Sequence, residues 1–422
     1  MSSTETRTRP SSPARAASMP PLWLLALTLA AFATGTDDMV IAGLLPWISH
    51  DLTVTEAVAG QLVTGYALVY ALGAPLLAVL TARLPRRRLL IGSTLTFAGV
   101  NLLMAVAPSY AMLFVLRLVA AGLAAVIVPT ALSMVASLAP DERRGRWLST
   151  VTAGITLALI AGVPLGAWIA VVLDWRATMV FVAVLAAIAA LGMTRLRPIP
   201  TERAASLCAR LAPLTRPAIW APSAAMVVAG AGGMMGYIYL APMFAQLGVG
   251  PELIALVILV YGLAGFGGVL LGGRGADSLG SLRTLILGSG VATVMIIVLA
   301  ILAATGTAVP LPVLLVITAV WAVGLWSFSP PMQTWLLSRA QGMDGAVLAL
   351  NTSGMYLGFA LAGLIGGVVL SVGGSALLPA GSAVLLATGG VLMAASIVWI
   401  DRRDGGWVRK GESPCRSVNW RN

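Results

Sequence analysis

The sequence predicts an all-α membrane protein of twelve transmembrane helices, arranged as two pseudo-symmetric six-helix bundles. Of its 422 residues, 59% are hydrophobic and only 10% charged, and the mean hydropathy is +0.95. A soluble domain carries roughly 25% charged residues, so this chain lacks the polar surface that water requires. Apolar runs of the ~20 residues needed to cross a bilayer recur twelve times between charged or Pro/Gly-rich breaks. The two halves also echo each other. Leu45-Pro46-Trp47-Ile48 recurs as Ala241-Pro242-Met243-Phe244, and Leu84-Pro85 with Arg88 and Leu90-Ile91 recurs as Leu279-Gly280 with Arg283 and Leu285-Ile286. Six spans per unit give both units one orientation, with a pseudo-twofold axis along the membrane normal and a cavity between them near the midplane.

In chain order, residues 1–18, rich in Ser, Thr, Arg and Pro, read as a disordered cytoplasmic tail. The first bundle, 19–194, holds spans at 22–45, 57–80, 89–107, 110–135, 147–172 and 177–194. Arg7, Arg9 and Arg15 before an apolar run containing Ala31-Phe32-Ala33 imitate a signal peptide. That run continues to Leu45, beyond an h-region of ~7–15 residues, so the first span is expected to remain in the mature protein. A cytoplasmic linker, 195–216, leads to the second bundle, 217–400, with spans at 218–245, 252–273, 284–304, 310–337, 344–371 and 379–400. A basic cytoplasmic tail, 401–422, closes the chain.

Charge sets the orientation. With both termini in the cytoplasm, 24 of the 26 Lys and Arg fall on the cytoplasmic side, Arg176 falls outside and Arg117 lies within a span. The positive-inside rule thus accounts for the net charge of +11 without a nucleic-acid partner. The single Lys, Lys410, rules out a phosphate-binding P-loop. One His (His50) and two Cys (Cys208, Cys415) are too few for a protein-only zinc site. Both thiols are expected on the reducing side, where a disulfide is disfavoured. No enzyme activity, metal or cofactor is expected.

Three segments stand out: Gly35-Thr36-Asp37-Asp38-Met39 leading into Gly43-Leu44-Leu45-Pro46; Arg117-Leu118-Val119-Ala120-Ala121-Gly122; and Ala158 followed by Gly162-Val163-Pro164-Leu165-Gly166, then Asp174-Trp175-Arg176. With them the sequence resembles the major facilitator superfamily, and within it the twelve-span drug/proton antiporters of the chloramphenicol-efflux and arabinose-efflux-like branch. The first looks like that branch's first-span pattern, the second is similar to its Arg-centred motif, and the third resembles its antiporter motif. The loop after the second span departs from the pattern, with Ala82 and Pro85 where the family has Asp and Gly, while its counterpart keeps Asp277 and Gly280. Arg83, Arg87 and Asp277 are the candidates for a cytoplasmic gate, weakened in the first half by that departure.

Only two carboxylates, Asp37 and Asp38, and one cation, Arg117, fall inside a span. Each intramembrane charge costs ~2.5–3.5 kcal/mol on insertion scales. The aspartates are tolerable only if they face a wet cavity, pair with a cation or carry a proton. Asp38 and Arg117 lie at one depth by helix rise, so Asp38 is expected as the protonation site and Arg117 as the group tuning it. The alternative is an Asp–Arg pair that merely fixes packing. Asp37, ~100° round the helix, is the weaker candidate, or a partner for a cationic substrate.

Pro164 is expected to bend the fifth span, and Gly162 and Gly166 to allow close helix contact; the resemblance implies that such a bend limits proton leakage. Gly268 with Gly272, and Gly363 with Gly367, read as packing contacts. Gln61, Tyr66, Tyr237, Trp326, Gln333 and Asn351 are the leading substrate-cavity candidates, from a wider set that includes Tyr70, Asn101, Tyr239, Tyr261, Trp321, Trp335 and Tyr356. At least half of that set, Trp335 near the cytoplasmic end in particular, is expected in the interface belt or facing lipid. The expectation is a monomeric inner-membrane exporter of a small organic compound, an antibiotic or hydrophobic metabolite, driven by the proton gradient and contacting only protons, lipid and its substrate. Sugar or nucleoside export, and proton-coupled uptake, are the alternatives.

Overall fold

The computed structural model describes residues 21–140, 143–197, 211–307 and 309–408, with side chains to Arg403. The expected tail 1–18, most of the linker 195–216 and the end of the basic tail lie outside the described residues. Twelve helices among those residues are long and apolar enough to cross a membrane. They are α1 Leu22–Asp51, α2 Glu56–Leu80, α3 Arg86–Ala105, α4 Tyr110–Leu138, α5 Arg144–Val172, α6 Trp175–Met193, α7 Pro217–Ile238, α8 Pro251–Leu279, α9 Ser281–Thr305, α10 Leu311–Leu337, α11 Asp344–Gly373 and α12 Ser375–Arg403. Helices are what such apolar segments must form, because in lipid every backbone polar group has to be satisfied within the segment. We call the membrane face at which α1 begins proximal and the opposite face distal; successive helices alternate in direction.

The pairings show the internal repeat. In the first half α1 packs on α5 and α6, α2 on α4, and α3 on α4 and α6. Six helices later, α7 packs on α11 and α12, α8 on α10, and α9 on α10 and α12. The result is two six-helix bundles related by a pseudo-twofold, joined chiefly along α2–α11 and α5–α8.

Helix interiors differ from simple rods where proline intervenes. In α5 the turn Ala158–Gly162 is π-helical, with Val163 N–H donating to the Ala158 carbonyl five residues back. Pro164 has no N–H to give, and a wide turn is one way to relieve the ladder it interrupts. The tenth span breaks between Trp326 and Ser329, ahead of Pro330-Pro331. The seventh, expected as one run to 245, ends at Ile238 and restarts as the short helix Leu240–Gln246. By contrast α1 runs through Pro46 to Asp51, past the expected end at 45.

The halves approach most closely toward the distal face. A Cβ on Gly363 would strike the Thr64 hydroxyl, and one on Gly367 would lie 2.6 Å from Gln61 Nε2. Gln61 Nε2 also donates to the Gly363 carbonyl at 3.3 Å. On the other seam, a Cβ on Gly262 would strike the Leu159 carbonyl of the π turn. Glycine is therefore required at 262 by backbone proximity across the seam, and at 363 by the Thr64 hydroxyl. Gly363 and Gly367 serve as the expected packing contacts, and they do so between halves. Gly268 and Gly272 pack inside the second half, against the backbone of Val323 and Ser327.

Candidate functional site

Two adjacent aspartates at mid-depth on α1 face different partners. Asp37 points to α4, where Arg117 Nη1 lies 2.9 Å from its Oδ2, both side chains being 0% exposed. The same nitrogen donates to the Asp37 main-chain carbonyl at 3.0 Å. The guanidinium carbon of Arg117 stands 4.4 Å from the centre of the Tyr66 ring, a cation–π contact that adds to the ion pair where water is excluded. This corrects the expected pairing: Arg117 engages Asp37, not Asp38. The reason is angular, since ~100° per residue turns one carboxylate into the first bundle and leaves the other facing the second.

Asp38 reaches across the seam. Tyr356 of α11 donates its hydroxyl to Asp38 Oδ2 at 2.7 Å, joining the two halves. Its ring is stacked on Tyr70 of α2 with centroids 3.9 Å apart and planes at 18°, and it also meets Phe359 at 5.4 Å. Aromatic pairs of this kind contribute ~0.5–1.5 kcal/mol beyond their burial. A second bond between halves, from the Tyr237 hydroxyl to the Met39 carbonyl at 3.4 Å, lies one residue further along α1.

Asp38, Tyr66, Tyr70, Trp326 and Tyr356 line a cavity of about 160 Å³ at mid-depth between the halves. Its remaining wall is largely apolar, from α4, α5, α8 and α11. Polar chemistry in the cavity is thus confined to one carboxylate, the tyrosines, the indole and threonines. A buried carboxylate is stable as an anion only with hydrogen bonds or a cation to hold it. Asp37 has its cation; Asp38 has a neutral phenol. The arrangement therefore separates a fully buried, ion-paired carboxylate from one that lines the cavity and has a phenol hydroxyl as its partner.

The other sequence candidates are dispersed. Gln61 sits at the distal seam, and Tyr237, which does not line the cavity, meets Tyr261 with ring centres 4.8 Å apart and planes tilted by 31°. Asn351 is buried with its Oδ1 unpaired and does not line the cavity; Gln333 is exposed, bonded to Ser329 at 3.4 Å. Trp335, expected in the lipid interface, is instead buried with the Arg339 guanidinium 3.9 Å from its ring centre. Gly162 packs on Thr36 and Phe32, and Gly166 on Val40 and Thr178, so α5 lies directly against the aspartate helix. At the proximal face Arg83 and Asp277 are exposed and enter no ion pair among the described residues, while Arg87 donates to the Thr194 carbonyl.

Residues not singled out beforehand complete the wall, among them Thr34, Thr156, Gly265, Met355 and Phe359. A usable signal existed in part. Tyr66 with Tyr70, and Met355 with Phe359, are spaced by four and so share a helix face, on the two helices that meet across the seam.

A family profile described as Major Facilitator Superfamily matches residues 27–347. The uncharacterized MFS-type transporter YbcL of Bacillus subtilis is 34% identical over 345 residues, 81% of this chain and 87% of its own length. A chloramphenicol resistance protein of Streptomyces lividans is 36% identical over 265 residues, 61% of this chain and 67% of its own length. A probable sugar efflux transporter of Helicobacter pylori is 30% identical over 249 residues, covering 58% of this chain and 64% of its own. Among solved structures, a peptide transporter superposes with a TM-score of 0.73 at 15% identity, covering 90% of this chain and 95% of that one. At that identity the likeness speaks to the fold.

Proposed function

Because the chain belongs to the major facilitator superfamily, we propose that it is a proton-coupled exporter of a small, largely apolar organic compound, working by alternating access. The observation that carries this reading is Asp38: a cavity-lining carboxylate at mid-depth, joined to the opposite half through Tyr356. An ionised Asp38 accepts a charge-assisted hydrogen bond from that hydroxyl, roughly twice as strong as a neutral one. Protonation removes the assistance and so changes the bond between halves. A substrate that prefers the deprotonated state and a proton that displaces it provide the differential affinity from which coupling arises.

Orientation follows from charge. With the proximal face cytoplasmic, the basic residues obey the positive-inside rule, and the distal face, toward which α2 and α11 meet through Gln61 and Gly363, is external. The cavity is then poised to take substrate from the cytoplasmic side. The largely apolar wall favours a hydrophobic compound over a sugar, which needs a dense set of donors and acceptors. The protein acts as a monomer in the plasma membrane, with both termini cytoplasmic and the proton gradient in place of a cofactor.

Expression in a host stripped of its own efflux pumps tests this reading. Resistance to chloramphenicol or to hydrophobic dyes is expected to rise at least about fourfold, a change equivalent to ~0.8 kcal/mol in effective partition, and to return to the empty-vector level with Asp38→Asn. An Asp38→Asn protein that confers full resistance contradicts the proton-coupling role.

A further inference from the structure

The break in the seventh span carries a tyrosine that the internal repeat does not account for. Pro46 of α1 and Pro242 after α7 hold matching places in the two halves, so Tyr239 matches Gly43. Gly43 admits a side chain from across its seam: a Cβ there would lie 2.8 Å from Cδ1 of Ile258 on α8. On the other seam the roles are exchanged, and the large side chain stands on the repeat position itself. Tyr239 is 0% exposed. Its backbone, at φ −102° and ψ 28°, is where the helix stops after Ile238 and before Leu240.

Glycines of both halves make the space for its ring. A Cβ on Gly60 of α2 would strike the Tyr239 hydroxyl; one on Gly366 of α11 would lie 2.5 Å from its Cε2, and one on Gly367 3.0 Å from the hydroxyl. Beside the ring there is room for nothing larger than hydrogen at these positions. The hydroxyl donates to the Gly363 carbonyl at 2.7 Å, the same carbonyl that Gln61 of the opposite half reaches at 3.3 Å. The first bond lies within the second half and aims the ring at α2, whereas the second crosses the seam. Gly60 is four residues inside the distal start of α2, roughly 6 Å deep by helix rise. Asp38 is thirteen residues, roughly 20 Å, from the distal end of α1. The ring therefore stands between the distal face and the carboxylate.

We propose that Tyr239 is the bolt of the distal seam: seated against Gly60, its ring locks α2 to the second half and blocks the distal path to Asp38. Parting of the halves would uncover the ring to water and break the Gln61–Gly363 bond, and both effects favour the closed state. The Tyr239–Gly363 bond travels intact with the second half, so the ring stays aimed and reseats when the seam closes. The inference rests on the transport reading only for alternating access; it uses neither the proton nor the substrate of that reading.

Reporter cysteines in the full chain, with Cys208→Ser and Cys415→Ser, test the bolt in membrane vesicles treated with a membrane-impermeant methanethiosulfonate. Thr64→Cys, one turn deeper than Gly60, reads the path beneath the ring. Thr307→Cys, exposed just past the distal end of α9, is the control, and the reagent is applied on the side from which it reacts. That choice fixes the distal side without assuming an orientation. Tyr239→Ala is expected to raise the labelling rate of Thr64→Cys about tenfold or more by shifting the population toward a distally open state. Gly60→Ala, which crowds the ring from the opposite half, is expected to raise it about threefold or more. Tyr239→Phe, which keeps the ring and loses only the bond to Gly363, is expected to raise it less than Tyr239→Ala does. Thr156→Cys in the cavity wall, labelled from the other side, is expected to react at least about twofold more slowly with Tyr239→Ala, because distal opening closes the proximal path. Thr64→Cys rates unaltered by Tyr239→Ala and Gly60→Ala overturn the proposal. So does a rise at Thr64→Cys without the fall at Thr156→Cys, which marks general loosening and not a released bolt. Either result leaves the resistance test of Asp38 untouched, so the two readings fail separately.

Discussion

At the scale of single residues, the site is a division of labour between neighbours. Asp37 and Arg117 form a buried pair with no exposure, and breaking such a pair by removing one member costs ~3–5 kcal/mol because the other charge is stranded. Arg117→Ala is therefore expected to destabilise the purified protein strongly, and Asp37→Asn to do so as well. The double variant Asp37→Asn/Arg117→Gln is expected to recover much of the loss. Thermal unfolding in detergent reads this as a cycle, and additive losses in the double variant contradict the pair as drawn. The three intramembrane charges were legible from the sequence because charge is so scarce there. Their pairing was not. Depth along a helix is computable from rise per residue, whereas facing depends on how α1 is rotated against α4 and α11, which packing decides. Tyr356 was visible as one aromatic among many, and only the assembled seam gives it a carboxylate to meet.

At the scale of elements, α5 links the aspartate helix to the opposite half. Its π turn sets the Leu159 carbonyl against Gly262 of α8, while Gly162 presses on Thr36, next to Asp37. Proline in this segment announced a distortion; that the distortion is a widened turn follows from where the freed backbone groups find partners. Gly162→Val introduces a side chain whose Cβ would strike the Thr36 hydroxyl, with Phe32 Cζ 3.1 Å away. Overpacking of this kind costs ~1–3 kcal/mol, so a lower melting temperature is expected. Gly262→Val acts differently. Its clash lies between halves, so it is expected to shift the equilibrium toward a distally open state while each bundle stays folded. Spin-label distances between the distal ends of α2 and α11 check this: longer distances are expected, and unchanged distances contradict the seam's role.

At the scale of the whole molecule, number and order of the helices were readable in advance, because a bilayer imposes a minimum length and a polarity on every span. The twofold relation was readable from two short echoes and reappears in matching helix pairs. The contacts between the halves were not readable, because they depend on which glycines meet which atoms of the opposite half. Resistance approaches the mechanism from one side. The most direct test measures coupling itself, in inside-out membrane vesicles with an acid interior and chloramphenicol as the probe. Wild-type protein is expected to concentrate the compound inside, to lose it when a protonophore collapses the gradient, and to show no gradient-driven accumulation as Asp38→Asn. Accumulation by Asp38→Asn equal to wild type under the same gradient would contradict Asp38 as the proton site.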